Sequence, residues 1–159
     1  LFVTPISKAR VLAGKVVGQL TLGIVQMALL IGFGALIFNV DWGRSLAGLA
    51  VVALAFALAA VALGIALGTF VRTRQQASGL TILFSMLMAA LGGAWWPLEI
   101  TPQSYQTAVK ALPSTWAMVG FQDVIVRGQG LDGVLLEAGV LLAFAAVFFT
   151  IGVWRFRYE

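Results

Sequence analysis

The 159-residue chain contains no cysteine and no histidine. Without cysteine it has no disulfide framework, no thiolate metal site and no cysteine nucleophile, and without histidine it lacks the commonest metal ligand and general base. Most hydrolytic chemistry is thereby disfavoured, and no metal or other cofactor is expected in this chain. Charge is scarce as well. Only 10% of residues are Asp, Glu, Lys or Arg, where a soluble globular domain carries roughly a quarter. Water is therefore not the main solvent for this chain.

What is present is apolar. Hydrophobic residues make up 61% of the sequence and gather in long runs almost free of charge, which a bilayer accommodates and a soluble core does not. Four stretches, 16–38, 46–71, 79–96 and 134–154, approach the roughly 20 helical residues that a hydrocarbon core of about 30 Å requires. Each can satisfy its backbone hydrogen bonds internally as a helix, whereas strands would need a closed barrel and an alternating pattern that these runs do not show. The third stretch closes sharply on Trp95, Trp96 and Pro97. The expected fold is all-α: a polytopic membrane bundle of four transmembrane helices, with an amino-terminal cytoplasmic amphipathic helix and re-entrant or interfacial helices on the outer face.

The positive charges orient the bundle. Lys8, Arg10, Lys15, Arg72, Arg74, Arg155 and Arg157 fall on one side of these spans, and Arg44, Lys110 and Arg127 on the other. The richer side is expected to be cytoplasmic. Both ends of this chain then face the cytoplasm, as an even number of spans requires, and the cell membrane is the expected location. Basic residues that flank apolar runs do not form the wettable face a nucleic-acid binder needs, so nucleic acid is not an expected partner, whereas membrane lipid is. The chain opens on Leu1 and shows no charged-then-apolar leader, which reads as a piece of a longer protein.

The outer connection at 39–45 is a short turn, but 97–133 is too long and too apolar for a plain loop. Two short helices are expected there. Thr101 is read as an N-cap before the first-turn Pro102, and Pro113-Ser114 punctuates again before the amphipathic run 116–126. Trp116, Met118, Phe121, Val124 and Ile125 need a buried or interfacial home.

No charged residue sits near the middle of any span, which argues against an ion-driven carrier. Glu137, one turn inside the last span, is read as solvated or at head-group level. Gln19 and Gln26, seven apart, share one helical face, and Thr81 and Ser85, four apart, share another. These four either line a substrate path or hydrogen-bond neighbouring helices. Gly64 and Gly68 have the GxxxG spacing that permits close helix contact, within this chain or between subunits. Gly14-Lys15 is not a phosphate-binding loop, because Ala9 stands where glycine is needed and Val16 where Ser or Thr is needed. If ATP powers this protein, another polypeptide holds it. The stretch 1–15, with Pro5, Ser7, Lys8, Arg10 and Lys15 among apolar Ile6, Val11 and Leu12, is a basic amphipathic segment in which Ser7 caps a helix running to Gly14. It serves as an interfacial anchor or as a docking surface for a partner.

The run Val3-Thr4-Pro5-Ile6-Ser7-Lys8, followed by Gly14-Lys15 at the start of a span, resembles the cytoplasmic coupling segment of type-2 ATP-binding-cassette exporter permeases. Gly64 through Arg74, followed by Gln75-Gln76-Ala77, is similar to the end of that family's fourth span and its cytoplasmic turn. Gly92-Gly93-Ala94-Trp95-Trp96-Pro97-Leu98-Glu99 and Leu112-Pro113-Ser114-Thr115-Trp116-Ala117 resemble its outer re-entrant region, and Arg155-Phe156-Arg157 its usual ending. Members usually have six spans, so the resemblance implies that this chain is the last four, beginning at the coupling segment.

The resemblance further implies a permease that performs no chemistry itself. It works as a homo- or heterodimer with a separate ATPase, exporting a drug, lipid, peptide or glycan. Pro5, Ile6, Ser7, Lys8, Arg10 and Lys15 would couple to that ATPase, and Gln19, Gln26, Thr81 and Ser85 would line the path. The competing reading is a non-transporting membrane anchor or scaffold subunit of another complex.

Overall fold

A computed structural model describes residues 8–156. These form six α-helices, α1 (Lys8–Phe38), α2 (Leu46–Gly68), α3 (Arg74–Leu91), α4 (Gln103–Val109), α5 (Pro113–Ile125) and α6 (Leu135–Phe156), with short 3-10 turns at Leu98–Ile100 and Leu131–Val134. No strand occurs among the described residues. Three helical stretches, Ala13–Phe38, Leu46–Gly68 and Leu131–Arg155, are long and apolar enough to cross a membrane. The chain is therefore a membrane protein. Helix α3 is not among the three: its 18 residues cover about 27 Å at 1.5 Å per residue, and it opens on Arg74, Gln75 and Gln76.

Several boundaries differ from those read in the sequence, each for a local reason. The third helix begins at Arg74 rather than at residue 79, because Thr73 caps it. The Gln76 N–H donates to Thr73 Oγ1 at 3.1 Å, and the Gln76 side chain accepts the Arg72 N–H at 3.2 Å. It ends at Leu91 rather than at Trp96, because Gly92 closes its last turn and Gly93, at φ +92°, bends the chain away. The second helix stops at Gly68, where Thr69 folds its hydroxyl onto the Ala66 carbonyl at 2.7 Å. From Lys8 onward α1 is one continuous helix through Gly14 to Phe38, not an amphipathic helix followed by a span. A lone glycine costs a helix about 1 kcal/mol, too little to break a run this long.

Helix α2 packs against α6, and the two run parallel. Gly152 near the end of α6 abuts Ile65 and Ala66 near the end of α2, while at the other end Val52 and Glu137 meet across Gly120. The buried stripe of α2, Val52, Ala55, Ala59, Ala62 and Ala66, advances by three and four residues and consists largely of methyl groups. Small side chains let the backbones approach, which is how helices associate where lipid supplies no hydrophobic drive. Leu141 and Ala138 of α6 fill the facing side. Helix α1 lies at the margin of this pair, with none of its span buried within the chain.

Both ends of the bundle are tied. At the basic end, the Arg155 guanidinium sits 4.4 Å from the Phe70 ring centroid and its Nε–H donates to the Thr69 carbonyl at 3.4 Å. At the other end, Asn39 takes the left-handed conformation after α1, and Trp42 folds back over Gly34 to donate its indole N–H to the Ile31 carbonyl at 3.0 Å. Ser45 then caps α2 by accepting the Gly48 N–H at 3.0 Å.

Helix α5 lies across the outer ends of α2 and α6, with Pro113 in its first turn and Ala117, Gly120 and Val124 buried. This placement corrects two sequence expectations. Glu137 is not solvated but 6% exposed, because α5 covers it. Thr101 does not cap α4: its hydroxyl turns back to the Leu98 carbonyl at 2.6 Å, closing the preceding 3-10 turn and leaving Pro102 in the cap position.

Candidate functional site

Three hollows flank α2: one of about 380 Å³ lies against α1 and α6, bordered by Val16, Leu58, Phe149 and Thr150, and the other two lie on the side of α3. The inner one, about 440 Å³, lies between α1, α2 and α3 and is bordered by Gln19, Gly68, Val71, Ala77 and Leu80. The outer one, about 320 Å³, lies between α2, α3 and α5 under Phe56, Phe84, Met88, Ser114, Met118 and Phe121. They share Ala60, Gly64, Leu67 and Thr81. Through these shared residues the two hollows adjoin as a track along α2, from its basic end to the turn after α3.

Gly64 stands where the two hollows meet. A Cβ built on it, or on Gly68, meets nothing within 4 Å, so among the described residues this GxxxG pair brings no helix into contact; it leaves space. The outer hollow is lined by uncharged residues only, with hydroxyls at Thr81, Ser85 and Ser114. Apolar walls with a few polar groups are the usual make-up of a small-molecule site of this volume.

The head of the outer hollow is built rather than incidental. Ser114, 7% exposed, lies in the first turn of α5 and directs its hydroxyl at the Met88 sulfur of α3 at 3.7 Å. Gly92 packs so tightly on it that a Cβ there would overlap the Ser114 hydroxyl. Thr115 donates to the Val109 carbonyl at 2.7 Å, the Trp116 indole to the Lys110 carbonyl at 2.8 Å and the Tyr105 hydroxyl to the Leu91 carbonyl at 3.1 Å. These bonds bind α4 to both the end of α3 and the start of α5, which holds the first turn of α5 in place.

Of the residues singled out in the sequence, Thr81 borders both hollows, Ser85 the outer and Gln19 the inner. Gln26 borders neither and is exposed on α1. Arg10 and Lys15 are exposed on the first turns of α1, which Lys8 opens. Pro5, Ile6 and Ser7 lie outside the described residues. Sequence reading missed Ser114 as a residue bordering the hollow, and of its two readings of Gly64, contact within the chain or between subunits, the first is not seen among the described residues. Nothing in the linear sequence marks Ser114 as facing Met88, 26 residues away. Among the described residues, no three acidic side chains gather as metal ligands.

Away from the track, Asp123 is 5% exposed and pairs with Arg127, which also reaches Glu99 at 3.9 Å. The Gln129 side chain adds a bond to Asp123 at 3.4 Å. Glu137, by contrast, has its Oε2 buried without a hydrogen-bond partner among the described residues.

Comparison with known proteins finds relatives of this chain. The model of a family described as ABC-2 family transporter protein matches residues 1–154. The linearmycin resistance permease protein LnrN of Bacillus subtilis is 32% identical over 157 residues, covering 99% of this chain and 40% of that protein. The inner membrane transport permease YhhJ of Escherichia coli is 33% identical over 99 residues, covering 62% of this chain and 26% of that protein. The putative transport permease YvfS of Bacillus subtilis is 31% identical over 116 residues, covering 70% of this chain and 45% of that protein. The chain thus spans less than half the length of these relatives. No solved structure matches it. A match across nearly the whole sequence, over helices that border an uncharged track, places the chain in the ABC-2 family of transporter permeases.

Proposed function

We propose that this chain is the membrane-spanning permease part of an ATP-driven exporter, with the track along α2 as part of its pathway. The observation that carries this reading is the track itself: a path beside α2 bordered by Gln19, Thr81, Ser85 and Ser114. Such a path suits an amphipathic or apolar cargo, not an ion. The naming of one relative for linearmycin resistance supports a drug among the possible cargoes.

In this reading α3 is a fourth span. Its 18 residues are extended by the turn carrying Trp95 and Trp96, and it exposes Ile82, Leu83, Met86 and Leu87 to a lipid or protein neighbour. Four spans put both chain ends in the cytoplasm, in keeping with the basic cluster of Arg72, Arg74 and Arg155 at one end of the bundle. Residues 1–15, with Pro5, Ile6, Ser7, Lys8, Arg10 and Lys15, form the docking segment for a separate ATPase subunit. A second permease copy or a related subunit completes the pathway against the exposed faces of α1 and α3.

The test is co-purification of the intact permease with its candidate ATPase, comparing wild type with Ile6→Asp/Lys8→Glu. Loss of the ATPase from the variant is the expected result. Retention, or no association even in wild type, would leave the membrane anchor as the better account.

A further inference from the structure

The outer hollow has the attributes of a binding site and one polar group left underused. Ser114 is more than nine-tenths buried, and its hydroxyl is directed only at a thioether sulfur 3.7 Å away. Sulfur is a weak acceptor, so a carbonyl, ester or hydroxyl oxygen arriving in the hollow would accept this hydrogen better. Around it the walls are apolar and deformable: Met88 and Met118 are unbranched and polarizable, and Phe56, Phe84 and Phe121 supply flat faces.

Size and charge narrow the occupant. At ~30 Å³ for each small group, the hollow takes on the order of ten methylene-sized units. No lining residue carries a charge that could accompany an ionic group out of water.

We propose that the hollow between α2, α3 and α5 binds the chain of a neutral, single-chain amphiphile, whose uncharged oxygen accepts a hydrogen bond from Ser114. This rests on the permease reading and names the class of cargo for that site: an uncharged apolar chain, not a glycan, a charged peptide or a phospholipid.

Gly64 makes the proposal testable without threatening the fold. A side chain there projects into open space, so Gly64→Leu narrows the junction of the two hollows without a clash. Ser85 is exposed and borders the outer hollow, so Ser85→Phe provides a second, independent filling variant.

The experiment uses the intact permease in lipid nanodiscs and a photoactivatable monoacylglycerol carrying a diazirine on a chain of about ten carbons. Three comparators carry the same diazirine: the fatty acid, the alkyltrimethylammonium and a phosphatidylcholine. Cross-linked peptides are mapped by mass spectrometry, and ATPase co-purification is scored on the same preparations. The expected result is labelling of α3 and α5 by the neutral probe. That labelling should fall at least fivefold in Gly64→Leu and Ser85→Phe at unchanged melting temperature, fall severalfold in Ser114→Ala, and be at least fivefold weaker with each comparator. Equal labelling by the phosphatidylcholine, labelling confined to outward residues of α1 such as Leu22 and Leu30, or indifference to both filling variants would overturn the proposal. Labelling retained without an associated ATPase would uphold the site and sink the exporter reading. ATPase association without labelling would do the reverse.

Discussion

Gly43 lies so close to the Val124 carbonyl of α5 that a Cβ on it would overlap the oxygen. It also holds φ at +82°, so two constraints coincide: the loop between α1 and α2 must approach α5, and it must do so in a backbone conformation that suits glycine. Gly43→Ala is expected to destabilise by about 1–2 kcal/mol from the backbone conformation alone, with the overlap adding to this. Thermal melting in detergent checks it, with Gly139→Ala as control: that glycine, on the exposed side of α6, meets nothing within 4 Å, and its substitution should leave the melting temperature unchanged or slightly raised. Equal melting of the two variants would show that the loop does not rest on α5.

The Asp123–Arg127 pair is expected to respond asymmetrically to mutation. Asp123 is buried and Arg127 half-exposed, so removing the arginine strands a carboxylate, while removing both partners strands nothing. Arg127→Ala should destabilise by about 1–3 kcal/mol, a range kept low because water still reaches the site of the arginine. Asp123→Asn/Arg127→Ala should recover part of that loss. A double variant less stable than Arg127→Ala would mean that Asp123 is held by its other contacts, with the Gln129 side chain and the backbone around it.

Glu137 offers the opposite case. Its Oε2 is enclosed beneath α5 with no donor among the described residues, and leaving a buried polar atom unsatisfied costs roughly 1–3 kcal/mol. Glu137→Met keeps the length of the side chain and removes the unsatisfied atom, so it should raise the melting temperature, whereas Glu137→Ala, which opens a void beside Val52 and Gly120, should not. If Glu137→Met destabilises instead, the carboxylate has a partner in the assembled membrane protein.

How far these features could be read in advance differs by element. The apolar runs around α1, α2 and α6 were legible because length and absence of charge suffice to specify a long membrane helix. The start of α3 was legible in principle, since Thr73-Arg74-Gln75-Gln76 has the capping-box spacing, but hydropathy dominated the reading and placed the boundary five residues late. Burial of Glu137 was not legible. It depends on α5 crossing over α2 and α6, a tertiary placement that Gly120 permits but that no local pattern announces. The same holds for the outer hollow, whose head joins Met88 to Ser114. Thr81 and Ser85, which border the hollows, were singled out because they share a helical face; Ser114 shares none with them.

The number of crossings can be read by cysteine labelling, because this stretch of 159 residues contains no cysteine and a single one placed in it is unique within it. Gln75→Cys lies in the first turn of α3 and Ser104→Cys in α4; both positions are exposed, at opposite ends of α3. If α3 crosses the membrane, a membrane-impermeant maleimide applied to intact cells should label Ser104→Cys and should reach Gln75→Cys only after permeabilisation, with at least a tenfold contrast. Equal labelling of both before permeabilisation would put the two ends of α3 on one side. The helix would then be re-entrant, and the two ends of the chain would lie on opposite sides of the membrane.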